Sequence, residues 1–210
     1  MLAQIEQALP PHGLMLMGGL TEGADTLYLL GCTADFWPIF TASAEWRDGQ
    51  PHPVDRWSTR VLGALAQQFG GRAEYPFGGP PYAPFIRYAK EAGQCHQSPV
   101  GMLVHGVAGM MISLRGGLWL PGHHPVPHAT ATPCQGCAQP CASACPVGAL
   151  VPGQPYDVAA CKAHIASPAG TSCLTGGCLV RRACPVSQRF GRIPAQSAHH
   201  MAAFLAVKPG

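Results

Sequence analysis

The clearest periodic pattern along the chain predicts an amphipathic helix over residues 53–70. Its apolar residues recur at steps of three and four, which places them on one face of a helix. These apolar positions are Val54, Trp57, Val61, Leu65 and Phe69. Asp55 lies in the first turn and two glycines follow the last apolar position, as expected at the two ends of a helix.

Shorter apolar runs on either side of this helix predict β-strands. The segments LMLMGGL (14–20) and DTLYLLG (25–31), joined by Thr-Glu-Gly, predict a hairpin. The run from 100 to 120 predicts two buried strands with a turn at Gly106–Gly109. Short helices are expected over 2–9, around 87–91 and over 196–205. These elements predict an α+β fold.

The composition changes after residue 121. Segment 122–133, GHHPVPHATATP, is rich in proline, histidine and threonine and is typical of a linker. From Cys134 onward the chain is rich in cysteine and short of long apolar runs. We therefore predict an α+β domain over 1–121, a Pro/His-rich linker over 122–133, and a small metal-held module with a closing helix over 134–210.

Charge is divided unevenly between the two halves of the sequence. Residues 1–91 contain nine acids and six bases, whereas residues 92–210 contain seven bases and a single acid, Asp157. The bases are sparse and are not interleaved with aromatic residues, which argues against a nucleic-acid partner. Thiolates bound to a metal cluster carry negative charge that nearby cations offset, so the basic half would suit such a group.

The sequence carries no pattern typical of a targeting signal or membrane anchor. The first residues, MLAQIEQALPPHG, contain neither a basic segment nor a long apolar run. The most apolar stretch includes His105, Arg115 and several glycines, which disfavours a membrane-spanning helix. We therefore expect a cytoplasmic protein without a membrane partner. In that compartment ten cysteines indicate metal or redox chemistry rather than disulfides.

Seven of the ten cysteines fall into two closely spaced groups, each of which ends in Cys-Pro. The stretch PCQGCAQPCASACPVGAL (133–150) places four cysteines within twelve residues, and SCLTGGCLVRRACPV (172–186) adds three. Such runs are typical of two-cluster ferredoxins, in which one ligand crosses to the other cluster. Zinc sites more often use two close pairs separated by a long loop. The spacing favours iron–sulfur clusters, with structural zinc as the alternative.

The first predicted [4Fe-4S] cluster has a complete set of ligands and the second does not. The first is assigned to Cys134, Cys137, Cys141 and Cys184, although three residues rather than two separate its second and third cysteines. For the second, Cys145 and Cys178 are candidates, but arginine, which cannot bind iron, stands at position 181 where a thiolate is expected. Cys173 is the candidate substitute. The alternative is a single cluster, with the other thiols as small buried residues.

The cysteine-rich half resembles the two-cluster ferredoxin module of epoxyqueuosine reductase. The resemblance rests on CQGCAQPCASACPVGAL, DVAACKAHI and GGCLVRRACPV, which occur in the same order. It implies that Cys161, a lone cysteine after an aspartate, is a further ligand of the second cluster. The chain is far shorter than that enzyme, and the family's catalytic acid has no counterpart that we can place. Queuosine chemistry is therefore not expected.

The segment SPVGMLVHGVAGMMISLRGGLWLPG (98–122) resembles a stretch of the CblC-type cobalamin-processing proteins. This resemblance implies a nitroreductase-like α+β domain that binds cobalamin, or a flavin in its place, with His105 and Arg115 at cofactor positions. The aromatic loop YPFGGPPYAPF (75–85) offers Phe77 and Tyr82 to stack on a flat cofactor. Its alternative role is to pack aromatic rings on the core.

Together these features predict an iron–sulfur redox protein. Its ferredoxin-like module would pass electrons from [4Fe-4S] clusters to a corrinoid, or a flavin, in the N-terminal domain, and would exchange electrons with a donor or acceptor protein. Such a protein would be a corrinoid-dependent or corrinoid-processing reductase, for which no catalytic residue is assigned. The alternative is a stand-alone ferredoxin-like electron carrier whose N-terminal domain docks a partner and binds no cofactor.

Overall fold

The computed structural model of the chain describes residues 1–207, which form two compact units. The first unit consists of Met1–His96 and Ile112–Ala131. The second consists of Gln97–Met111 and the chain from Thr132 onward. The sequence pattern had placed 97–111 in the first domain, whereas this segment groups with the cysteine-rich part of the chain.

A four-stranded antiparallel sheet forms the centre of the first unit. Its strands are β1 (Leu14–Glu22), β2 (Asp25–Cys32), β3 (Arg72–Glu74) and β6 (Leu114–Pro121). They lie in the order β1-β2-β6-β3. The predicted hairpin is confirmed as β1 and β2, with Leu14 opposite Cys32 and Glu22 opposite Asp25.

Five helices accompany this sheet, and the longest is the one with the clearest sequence pattern. They are α1 (Leu2–Ala8), α2 (Phe36–Thr41), α3 (Ala44–Arg47), α4 (Pro53–Gln68) and α5 (Phe85–Glu91). The predicted apolar face of α4 is buried, and Trp57 makes edge-to-face contacts with Phe36 and Phe40. The combination of helices with a small antiparallel sheet confirms the α+β prediction.

The second unit is built mainly from short helices. These are α6 (Val158–Ile165), α7 (Thr171–Gly176), α8 (Leu179–Ala183), α9 (Pro185–Phe190) and α10 (Pro194–Ala206). Single 3-10 turns occur at Pro140–Ser143 and Pro168–Gly170, and another, Pro10–His12, lies in the first unit. Asp157 caps α6 by accepting a hydrogen bond from the backbone N–H of Ala160 at 2.8 Å. Among the described residues no helix has both the length and the apolar character needed to cross a membrane.

The two strands predicted between 100 and 120 exist but do not pair with each other. β5 (Leu103–His105) pairs with β4 (Cys95–Gln97), whereas β6 pairs with β2 and β3. The chain closes a tight turn after β5, in which His105 and Gly109 exchange two backbone hydrogen bonds of 2.9 Å. This turn is complete before β6 begins, and the intervening residues carry the chain to another sheet.

The ion pair between Glu45 and Arg60 is expected to stabilise the first unit down to acidic pH. Hydrogen bonds from Arg60 hold the pKa of Glu45 at about 2, below its ordinary value of 4.5. The Arg60 Nη2 lies 3.0 Å from Glu45 Oε2. The pKa of Glu45 is lower in the folded protein than in the unfolded protein. The stabilisation by this ion pair is therefore complete above about pH 4.5 and is lost as the pH falls toward 2.

Urea unfolding followed by tryptophan fluorescence tests this expectation, since all four tryptophans belong to the first unit. The unfolding free energy of the native protein should fall between about pH 6 and about pH 3. The Glu45→Gln variant cannot ionise at this position and should show a smaller fall. An equal fall in both proteins would assign the acid sensitivity to other carboxylates.

Candidate functional site

Eight of the ten cysteines lie in the second unit, where they line two separate cavities. We call the cysteines of each cavity a quartet. The first quartet lines a cavity of about 300 Å³ and consists of Cys134, Cys137, Cys141 and Cys184. The second lines a narrower cavity of about 20 Å³ and consists of Cys145, Cys161, Cys173 and Cys178. Each quartet combines cysteines from both sequence groups, so the two Cys-Pro cysteines cross between the groups.

A tight irregular loop and two helix starts position the first quartet. Cys134 and Cys137 lie in consecutive turns, and Cys141 lies within the 3-10 turn that follows. Gln139 adopts a left-handed backbone conformation with φ of 54°, which turns the chain just before that element. Its backbone N–H donates to the sulfur of Cys137 at 3.4 Å. Cys184 joins from the residue before α9.

The thiols of the first quartet influence one another. Burial raises the pKa of Cys134 and of Cys141, and negative charge on neighbouring thiols raises both further. For Cys134 the contributing neighbours are Cys184 and Cys137. A thiolate is therefore disfavoured beside a second thiolate, and a cation placed among the four sulfurs would reverse this effect.

The second quartet is carried mainly on helices. Cys161 lies in α6, Cys173 in α7, and Cys178 is the residue before α8. Cys145 follows the 3-10 turn, and its sulfur accepts a hydrogen bond from the backbone N–H of Ala149 at 3.2 Å. Burial raises the pKa of Cys161 and of Cys173, with smaller contributions from the charges of Cys178 and Cys145. The ionisation of Cys161 and Cys173 therefore depends on the charges of their neighbours in the cavity.

Tyr156 contributes a hydroxyl to the second quartet that the sequence did not reveal. Burial raises the pKa of Tyr156 and the neighbouring Cys161 thiol raises it further, so the phenol stays protonated next to the second quartet. The ring stacks on Phe204 of α10 with centroids 6.3 Å apart. Tyr156 lies in the irregular segment before α6, where no periodic pattern marks it. Its closeness in sequence to Asp157 and Cys161 is the one local signal.

Arg181 lies beside the second quartet and Cys173 within it. The Arg181 guanidinium donates a hydrogen bond to the carbonyl of Met110. Burial lowers its pKa, and the charge of Cys178 opposes that shift. Arginine remains protonated in proteins, so a fixed positive charge adjoins Cys178 where the sequence pattern led us to expect a thiolate. Cys173 supplies the fourth thiol of this cavity.

The region 105–110 has a structural role in the second unit. His105 is 3% exposed, and its Nδ1 accepts hydrogen bonds from the backbone N–H groups of Val107 and Ala108. Gly109 has φ of +56°, and a Cβ there would lie 2.4 Å from the backbone nitrogen of Ser187. The next residue, Met110, donates its N–H to Ser187 Oγ at 2.9 Å. His105 thus organises a turn that packs closely against α9.

The other predicted cofactor residues belong to the first unit, where Arg115 and Phe77 have partners. Arg115 donates to the carbonyl of Leu114 and lies 3.8 Å from the carboxylate of Asp55. Phe77 stacks on Tyr75 with centroids 5.2 Å apart, and Tyr82 is 65% exposed. The assignment of His105, Arg115, Phe77 and Tyr82 to a cofactor site stays a prediction.

The remaining two cysteines, Cys32 and Cys95, are buried in the first unit, outside both quartets. Burial raises the pKa of Cys95 to about 11, so this residue is a neutral thiol at physiological pH. Within residues 1–207, no three His, Cys, Asp or Glu side chains are arranged to hold a single metal ion. The quartets surround cavities rather than a single point.

Comparisons with known proteins leave the site to be interpreted from its own chemistry. No protein-family model matches the chain, and no curated protein matches it.

Proposed function

We propose that the protein is an iron–sulfur electron-transfer protein that binds two [4Fe-4S] clusters, one at each quartet. The observation that carries this proposal is the division of eight cysteines into two cavities of four. Four cysteine thiolates are the usual ligand set of a four-iron cluster, and crossed ligands are typical of two-cluster ferredoxins. Bound clusters would accept and release one electron at a time.

The surroundings of the thiols fit this group. Backbone N–H groups of Gln139 and Ala149 donate to cysteine sulfur, one in each quartet. Such hydrogen bonds stabilise electron-rich sulfur and adjust reduction potentials. The second cavity, of about 20 Å³, is narrow for four iron and four sulfide atoms, so its thiols would have to move apart to hold a cluster.

Charge supports the same proposal. In the described part of the second unit five cations accompany one carboxylate, that of Asp157, which is engaged in capping α6. Arg189 lines the first cavity and Arg181 adjoins the second quartet. An oxidised four-iron cluster with four thiolates carries about two negative charges, which such cations offset.

The role of the first unit follows from resemblance alone. A corrinoid or flavin bound by a nitroreductase-like domain would receive the electrons in one version of the proposal. In the other version the first unit docks a partner and the protein is a ferredoxin-like carrier. The contacts of Arg115 with Asp55 and of Phe77 with Tyr75 favour the carrier version, because these side chains already have partners within the chain.

Iron and acid-labile sulfide, measured on protein purified without oxygen, test the proposal directly. We expect about eight of each per chain, since every quartet would hold four iron atoms and four sulfides. About four of each would reduce the proposal to a single cluster. Stoichiometric zinc without sulfide would overturn it.

A further inference from the structure

We propose that α10 is a hinged cover over the second cavity, and that its opening admits iron and sulfide to the second quartet. The inference rests on the proposed electron-transfer function and adds to it a control over the loading of one site. The cavity has a volume of about 20 Å³, so its four thiols must separate before a cluster fits among them. An element that closes this cavity therefore has to move.

α10 is the part of the cavity wall that can move without carrying a thiol away. The described wall consists of residues from the segment 145–150, from α6, from α7, from 178–180 and from α10. Each of the first four segments carries one cysteine of the second quartet, whereas α10 contributes Met201 alone. Movement of α10 would open the cavity and leave all four cysteines on their own elements.

The start of α10 has the features of a hinge. Gly191, which ends α9, has φ of 71°, a left-handed conformation that favours glycine, and two residues separate it from α10. Hinges are formed by such residues at the ends of elements. Just inside the helix, Ser197 packs on Gly177, where an added Cβ would lie 2.6 Å from the Cβ of Ser197. This close contact holds the first turn of α10 next to Cys178.

The far end of α10 is held by a group of contacts that we call the clasp, formed by Tyr156, Lys162, Phe204 and Val207. The Phe204 ring stacks on Tyr156 with centroids 6.3 Å apart and an interplanar angle of 17°. The Lys162 ammonium lies 5.1 Å from the centroid of the Phe204 ring and donates a hydrogen bond to the carbonyl of Val207. Lys162 follows Cys161 in α6, so the clasp joins α10 to an element that carries a thiol of the second quartet.

Hinge, cover and clasp follow one another along a single face of α10. Ser197, Met201 and Phe204 are separated by steps of four and three, which places them on the same side of a helix. Release of the clasp would move Met201 away from the cavity while Ser197 stays against Gly177. Tyr156 is 41% exposed, so the clasp lies at the surface, and opening there breaks few contacts compared with unfolding of the unit.

Iodoacetamide labelling of the full chain, resolved for each cysteine by mass spectrometry, tests the proposal. Phe204→Ala should speed labelling of the second quartet about tenfold, the factor expected for loss of a stacked pair and a cation–π contact. The first quartet is the internal reference and should be labelled at the native rate. Hydrogen exchange of the α10 amides should accelerate in the same variant. Phe204→Tyr keeps the ring and should restore both native rates.

Val107→Ala is the control for loss of an apolar side chain. Val107 is 58% exposed, belongs to the second unit and does not line the second cavity. Equal acceleration by Val107→Ala and Phe204→Ala, or of both quartets, would indicate general loosening and overturn the proposal. Faster exchange of α10 with native labelling would show that α10 opens without covering the thiols. Native labelling together with native exchange would show that the clasp does not hold α10.

Iron content, measured in parallel, separates this proposal from the electron-transfer one. Protein that contains iron is labelled only as its clusters dissociate, and protein without iron is labelled directly. Opening of α10 precedes modification of the second quartet in both cases. Selective acceleration in Phe204→Ala would therefore support the cover even if iron were absent, and full iron with unselective labelling would leave only the electron-transfer proposal standing.

Discussion

A Cys173→Ser variant is expected to lose about half of the iron and sulfide of the native protein. Cys173 shares the second cavity with Cys145, Cys161 and Cys178, and no thiol stands at position 181 to replace it. A four-iron cluster that lacks one thiolate ligand is bound less tightly, so the protein loses its iron and sulfide more readily. The first quartet is intact in this variant, so about four irons per chain should remain. Metal analysis together with electron paramagnetic resonance of the reduced protein measures the change.

Cys95→Ala provides the control for this substitution. Cys95 is buried and lies outside both quartets, in the first unit. Its replacement removes a thiol but should leave the iron content unchanged. Full iron in Cys173→Ser would show that Cys173 is not a ligand. Iron loss in Cys95→Ala as well would indicate general destabilisation rather than loss of a ligand.

Arg181→Met should make the reduction potential of the second cluster more negative. Reduction adds negative charge, and the Arg181 guanidinium beside Cys178 stabilises that charge in a region of low dielectric constant. Tyr156→Phe should act in the same direction, because it removes a hydroxyl dipole next to Cys161. We expect each change to lower the ratio of reduced to oxidised cluster about tenfold at a fixed potential, or ~59 mV for a one-electron couple.

A redox titration followed by electron paramagnetic resonance measures both shifts and resolves the two clusters. The matched variant is Arg181→Lys, which keeps the charge and should keep most of the native potential. If Arg181→Met and Arg181→Lys move the potential equally, the charge has no part in it. A shift confined to the first cluster would contradict the assignment of both residues to the second quartet.

Helices and strands were predicted best where the signal lies within a single element. The spacing of Val54, Trp57, Val61 and Leu65 predicted α4, and two apolar runs joined by a short turn predicted the hairpin of β1 and β2. Helical and strand periods are local properties, so a sequence displays them without reference to the rest of the fold. The helix predicted over 196–205 is present as Pro194–Ala206.

The thiol site could be predicted from the sequence only in part. Closely spaced thiols and two Cys-Pro endings indicated a thiol-rich centre, because residues a few positions apart must be close in space. Which thiols share a cavity depends on how separate helices pack. The packing of α6, α7 and α8 brings Cys145 into one cavity with Cys161, Cys173 and Cys178. Tyr156 becomes a neighbour of Cys161 through the same arrangement, which leaves no periodic pattern in the sequence.

By itself, the sequence determined the α+β class, the longest helix, the main hairpin and the concentration of thiols and cations in one half of the chain. The tertiary structure decided that 97–111 joins the second unit and that β5 and β6 belong to different sheets. The physical reason is the range of the interactions. Periodicity and charge are set by neighbouring residues, whereas pairing and packing join residues far apart in the chain, and their outcome depends on every element present.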